Sequence, residues 1–138
     1  MRHFILASHS RFAEGIYASV KLIVGEQERV TILNAYVEQG EDFKKRVERL
    51  MNTFNEKDEI IVITDILGGS VNNEFMNYLK REKFYLSTGM NLPMLIELFV
   101  QEKTEDDTKK LLENVTKIGS ESVLFCNSLF SESDEEDF

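Results

Sequence analysis

His9 and Asp65 are the two residues whose types and settings point to joint chemistry. His9 follows the apolar run Phe4–Ala7 by way of Ser8, and Ser10 comes next. Asp65 follows a second apolar run, Ile60–Ile63, by way of Thr64, and opens the stretch Ile66-Leu67-Gly68-Gly69-Ser70. An imidazole can be neutral and nucleophilic at physiological pH. A carboxylate beside it holds one ring nitrogen and leaves the other free, the orienting role seen in Ser-His-Asp triads. A Gly-rich turn such as Gly68-Gly69-Ser70 presents backbone N–H groups to an anion. The combination suits a histidine that accepts a phosphoryl group and hands it on. That chemistry rests on positioning and charge stabilisation, so it calls for no cofactor and no metal.

Elements that alternate along the chain must bring these residues together. The first strand spans about 3–8. Phe12, Ile16, Val20, Ile23 and Val24 then recur at helical spacing up to Gly25, a plausible stop. Val30–Val37 reads as a second strand and about 40–55 as a second helix, with Phe43, Val47, Leu50, Met51 and Phe54 on one stripe. The third strand is about 59–64, and the helix after Gly68-Gly69-Ser70 carries Phe75, Met76 and Leu79 as core. Phe84–Ser87 is a fourth strand, and Asn91-Leu92-Pro93 opens a fourth helix. Thr104 reads as the N-cap of a fifth helix, with Glu105, Asp106 and Asp107 in its first turn and its end near Gly119. Val123–Phe130 fits a strand or a helix end equally well.

This alternation is that of an α/β, doubly wound, mainly parallel four-stranded sheet with helices on both faces. In a 2-1-3-4 strand order the first and third strands are neighbours about 4.8 Å apart. His9 and Asp65 would then face each other at the carboxyl rim, where open parallel sheets bind their ligands. Each residue also has a plainer reading. His9 alone would be a loop residue and His3 a sheet-start residue. Asp65 could cap a turn, and the glycines could serve only positive φ.

The 138 residues suffice for one domain, expected over 1–130 and followed by an acidic tail at 131–138 expected to be disordered. The formal net charge is −9, but five acids fall in Ser131–Phe138, so the preceding 130 residues carry only −4. That balance argues against nucleic acid or an anionic membrane as the main partner. Cys126 is the only cysteine, which rules out an intrachain disulfide and reads as a semi-buried structural thiol. No apolar run approaches membrane-spanning length and nothing resembles a signal peptide, so a cytoplasmic protein is expected.

Four segments together resemble a known family: Ile5-Leu6-Ala7-Ser8-His9-Ser10, Gly25-Glu26-Gln27-Glu28, Asp65-Ile66-Leu67-Gly68-Gly69-Ser70 and Gly89-Met90-Asn91-Leu92-Pro93-Met94. In order and spacing they are similar to the IIA component of the mannose-family sugar phosphotransferase system, over roughly 1–120. The resemblance implies that His9 takes a phosphoryl group from the histidine phosphocarrier protein. It would pass the group to a IIB component, which serves sugar uptake through membrane IIC/IID partners. It also implies that Asp65 orients His9 and that Ser70 and Ser8 line the phosphate site, where Ser10, Gly68 and Gly69 complete the candidate set. A homodimer that exchanges a C-terminal strand is implied too, with Val123–Leu129 as the candidate and an added antiparallel edge strand as the result. The chain departs from the family pattern at Val71, where proline is usual, at Ser10, where glycine is frequent, and in its acidic tail.

Three rivals bear comparison. The phosphoryl donor subunit of dihydroxyacetone kinase has a similar Ser-His-Ser turn, but Gly68-Gly69-Ser70 and Asn91–Met94 favour the mannose type. A receiver domain would be phosphorylated on Asp65 and needs an acid pair after the first strand for Mg²⁺, where this chain has Ser8-His9. A flavin or nucleotide binder would need a better phosphate loop than Ser8-His9-Ser10-Arg11.

Overall fold

The first strand, β1 (Arg2–His9), is apolar and fully buried from Phe4 to Ala7 because it runs through the middle of the sheet. We describe residues 1–132 of the chain from a computed structural model. The order after β1 is α1 (Phe12–Val24), β2 (Val30–Ala35), α2 (Phe43–Met51), β3 (Glu59–Thr64), α3 (Ser70–Met76), β4 (Phe84–Thr88), α4 (Leu92–Gln101), α5 (Thr108–Glu121) and α6 (Cys126–Glu132). The strands form one parallel sheet in the order β2-β1-β3-β4. The expected fold class and strand order are therefore the ones found.

Alternation along the strands divides the core into two layers. Phe4, Leu6, Ile61 and Ile63 pack with Ala13, Tyr17 and Val20 of α1 and with α4 and α5 residues such as Leu95, Leu98 and Leu111. Ile5, Ala7, Ile60 and Val62 pack on the other side with Phe43, Val47 and Met51 of α2 and Phe75 of α3. Each layer screens one face of β1 and β3, which is why those strands read as unbroken apolar runs.

Several boundaries depart from the sequence reading, each for a local reason. β2 ends at Ala35 instead of Val37 because Tyr36 turns the chain with φ +63°. α2 starts later and ends earlier than expected; Asp42 is its N-cap, accepting from the Lys45 N–H at 3.2 Å. The cap of α5 is Asp107, which accepts from the Lys110 N–H at 3.1 Å. Thr104 instead closes the turn after α4 by donating to the Gln101 carbonyl, so Glu105 and Asp106 precede the helix. The buried face of α1 is Ala13, Tyr17 and Val20, which leaves Phe12 and Ile23 exposed. α3 stops at Met76, so Met76 and Leu79 point outward and only Phe75 of that predicted trio is core.

The C-terminal segment also differs from its expected form. Among the described residues there is no added edge strand: Val123–Phe125 are irregular and Cys126–Glu132 form α6. Cys126, Leu129 and Phe130 recur at helical rather than alternating spacing, which suits that outcome. Cys126 is exposed, not semi-buried, because α6 lies beyond the core. The acidic tail beyond Glu132 lies outside the described residues. No helix among the described residues is long and apolar enough to cross a membrane.

Candidate active site at the carboxyl rim

β1 and β3 pair in register through Ala7 and Thr64, so the residues leaving the two strands emerge side by side. The His9 backbone N–H donates to Asp65 Oδ2 at 2.8 Å, and ring Nδ1 lies 2.8 Å from the same oxygen. The Ile66 N–H donates to Oδ1 at 2.9 Å. Burial pushes the Asp65 carboxyl upward, but the hydrogen bonds and charge of His9, with the Ile66 N–H, outweigh it and hold the carboxyl below its ordinary value. An ionised carboxylate has no hydrogen to give. The neutral ring therefore carries its proton on Nδ1, and Nε2 keeps a lone pair.

The side chain of Asp65 is 14% exposed, whereas that of His9 is 41% exposed. The orienting group is thus sheltered and the nucleophile is open. Thr64, fully buried, ties the end of β3 to its neighbours. Its Oγ1 donates to Asn72 Oδ1 at 2.7 Å and lies 2.8 Å from Thr88 Oγ1.

The turn after Asp65 folds its first helical residues against the imidazole. Gly68 has φ +77°, a region in which L side chains are strained. Gly69 is the N-cap of α3, and a Cβ there would stand 2.9 Å from Ile66 Cγ2 and 3.0 Å from His9 Cε1. Only glycine lets the ring and the backbone approach this closely. Ser70 Oγ lies 3.4 Å from His9 Nε2, on the open edge of the ring. Val71, at the position where proline is usual in the resembled family, is the buried second residue of α3 and packs in the core layer of α2 and α3.

The two serines flanking His9 sit differently. Ser8 is fully buried; its Oγ accepts from the Ala13 N–H at 2.7 Å and donates to the Ser10 carbonyl at 3.3 Å. It therefore caps the first turn of α1 from behind the rim. Ser10 is exposed with φ +53°, and its N–H donates to the Ala35 carbonyl at 2.8 Å. The glycine frequent at this position in the resembled family matches that backbone conformation. Asn91 serves as the N-cap of α4, accepting from the Met94 N–H at 3.1 Å, so Asn91–Met94 is a helix start.

Sequence reasoning missed Tyr36. Placed inside the second strand on paper, it instead leaves β2 on the same rim, with its ring 5.6 Å from that of His9. Its hydroxyl donates to Ser70 Oγ at 2.6 Å. The Tyr36 N–H donates to Glu41 Oε2 at 2.9 Å, and Glu41 is in turn paired with Arg46 at 2.5 Å. An aromatic residue near the end of the strand next to β1 was the available signal.

Comparison with known proteins identifies the family of the fold. Residues 3–116 match the family EIIA-man, described as the PTS system fructose IIA component. A Klebsiella pneumoniae protein, named as a candidate phosphoenolpyruvate-dependent sugar phosphotransferase system permease, is 46% identical; the match covers 94% of this chain and 93% of that one, with TM-score 0.90. Phosphotransferase system component EIIA from Streptococcus agalactiae is 28% identical over 93% and 99% of the two chains, with TM-score 0.78. The mannose/sorbose-specific IIA subunit from Enterococcus faecalis is 27% identical over 90% and 93%, with TM-score 0.79.

Proposed function

This chain belongs to the fructose/mannose-type IIA components of the sugar phosphotransferase system, a family of phosphotransfer proteins, and from that premise we propose that His9 is the residue that becomes phosphorylated. The observation that carries this reading is the sheltered Asp65 carboxylate on Nδ1, which leaves Nε2 as a lone-pair donor on the open rim.

In the proposed reaction the histidine phosphocarrier protein presents its phosphohistidine at the rim. The Nε2 lone pair of His9 attacks phosphorus while the donor N–P bond breaks and its electron pair returns to the donor imidazole. The His9 ring gains positive charge, which the Asp65 carboxylate stabilises through the Nδ1 proton. The Ser70 hydroxyl and the first turn of α3 face the incoming phosphoryl oxygens, with Gly68 and Gly69 shaping the approach. Ser10 flanks the group through the opposite turn, and Ser8 acts by fixing the first turn of α1. The reverse sequence hands the group to a IIB component, and the membrane IIC/IID partners use it indirectly.

Openness of the site favours a macromolecular partner. Phe12, Tyr36, Ile66 and Leu67 are exposed apolar side chains on segments that adjoin His9 and Asp65, a setting suited to a docking protein. Asp65 itself is a poor phosphoryl acceptor, because N–H donors occupy both its oxygens. We place the protein in the cytoplasm as a homodimer acting without nucleic acid, metal or cofactor.

The test is labelling from phosphoenolpyruvate with the general phosphotransferase proteins. The parent should acquire an acid-labile, base-stable phosphoryl group, and His9→Ala should acquire none. Labelling of the variant at the parent's level would remove His9 from the reaction.

A further inference from the structure

The reading of His9 as the phosphorylated residue uses only the exposed ring of Tyr36, as docking surface, and gives its hydroxyl no part. Yet Tyr36 makes one of the shortest side-chain contacts at the rim, its hydroxyl 2.6 Å from Ser70 Oγ. We propose that Tyr36 is a positioning residue for phosphoryl transfer, aiming the Ser70 hydroxyl hydrogen at Nε2 before transfer and at a phosphoryl oxygen after it. The inference rests on the phosphohistidine reading and extends it by one residue.

The Ser70 hydroxyl has one hydrogen to give and can rotate freely when nothing holds it. Beside it, Nε2 of the neutral ring carries a lone pair, because Asp65 keeps the proton on Nδ1. Tyr36 O–H donates to Ser70 Oγ, filling one of its acceptor positions, so the Ser70 hydrogen is turned away from Tyr36 and toward the ring at 3.4 Å. Donation into Ser70 also polarises its own O–H bond, which strengthens the hydrogen bond it gives. When Nε2 becomes bonded to phosphorus its lone pair is gone. The same hydrogen then meets a phosphoryl oxygen with a small rotation, while Tyr36 keeps its proton throughout. No atom or electron passes through Tyr36.

Tyr36 is held for this task by groups outside the reacting set. Its φ of +63° is a conformation that a bulky L residue rarely adopts, so the turn is maintained against local strain. Glu41 accepts the Tyr36 N–H and binds Arg46, and Arg46 also donates to the Asn34 carbonyl at 2.8 Å, anchoring the turn to β2. The ring rests against that of Phe43, centroids 5.9 Å apart, on one side and near His9 on the other.

Tyr36→Phe in the full chain tests the proposal, since it keeps the ring and removes only the donor. The rate of phosphorylation from the phosphocarrier protein should fall roughly tenfold, the effect of one lost hydrogen bond, with the melting temperature unchanged. In a Ser70→Ala background the same substitution should change the rate less than twofold, because Tyr36 acts through Ser70. A structural role would lower the rate in both backgrounds and lower the melting temperature, and that pattern overturns the proposal. An unchanged Tyr36→Phe rate with His9 still labelled overturns it too, and leaves the phosphohistidine reading intact. If the parent is not labelled at all, the phosphohistidine reading fails. The ¹⁵N resonance of His9 Nε2 in the unphosphorylated protein then decides the contact alone: a shift in Tyr36→Phe supports the aimed hydroxyl, and no shift ends it.

Discussion

At Asp65 a single carboxylate settles three things: where the proton of His9 sits, which nitrogen keeps its lone pair, and how the two strand ends stay together. Oδ2 takes both the backbone and the ring N–H of His9, so the ring cannot flip without losing a bond. Asp65→Asn keeps the size and changes the hydrogen-bonding sense. An amide can donate to Nδ1, which moves the ring proton to Nε2 and blocks the attack. By analogy with the same change in a Ser-His-Asp triad, phosphoryl transfer should slow by about 10²- to 10⁴-fold. Rapid-quench transfer rates with a folding check by circular dichroism would measure it, and a loss under threefold would remove Asp65 from the mechanism. His9, Asp65 and the glycines were legible in sequence because each stands at the end of an apolar run with a distinctive neighbour. Ser8 was legible as a position but not as a cap, since its partner, the Ala13 N–H, depends on how α1 starts. Tyr36 was hidden because only its backbone conformation takes it out of the strand.

The turns on either side of His9 and after Asp65 act as elements, and their strain is measurable. Ser10 occupies the left-handed region without the freedom of glycine. Ser10→Gly should relieve an unfavourable backbone conformation and stabilise the fold by about 1 kcal/mol after the added freedom of the unfolded chain is counted. In calorimetry that corresponds to a rise in Tm of about 3 °C; a fall would show that the Ser10 side chain contributes more than its backbone costs. Gly69→Ala goes the other way. The new methyl would meet Ile66 Cγ2 and His9 Cε1; Ile66 is exposed and can yield, but the contact with the ring remains and pushes His9 out of line with its Asp65 hydrogen bond. Phosphorylation should drop by about 10²-fold, as expected for a reacting atom displaced by roughly 1 Å. Parent-like kinetics in a folded Gly69→Ala protein would mean that the ring has slack. Sheet order and helix existence were readable from periodicity, whereas ends were not. β2 stops at a left-handed tyrosine, α5 starts at the aspartate rather than the threonine, and α3 is too short to bury Met76. Each end is decided by one hydrogen bond or one dihedral angle that no hydrophobic pattern encodes.

For the molecule as a whole, the rim and its supporting turn share a dependence on ionised carboxylates. Asp65 is held below its ordinary value as described, and the Arg46 hydrogen bond, helped by the Tyr36 N–H, does the same for Glu41 against the effect of its burial. A carboxyl with a lowered folded pKa contributes stability that is complete above its unfolded value, about 4, and is lost as the pH falls through the folded value. Melting temperatures between pH 7 and pH 3 should therefore fall on the acid side. Asp65→Asn, which has nothing to titrate there, should show a shallower fall; parallel curves would contradict the shift. Association between copies belongs to a larger scale still, and the C-terminal region bears on it although Cys126–Glu132 is a helix and not the exchanged strand expected. β4 is an edge strand whose outer side has no strand beside it among the described residues. Just after α5, Val123 is 81% exposed and Phe125 71% exposed, with Leu124 and Phe130 also exposed. An open parallel edge and a cluster of exposed apolar residues are both features that association between copies would cover. Phe125→Asp in the full chain adds a charge to that cluster and leaves His9, Asp65 and Ser70 unaltered. Sedimentation should show a dimer for the parent and a monomer for the variant, with His9 still labelled in both. A monomeric parent would leave the exposed cluster to another partner and withdraw the homodimer from the proposal.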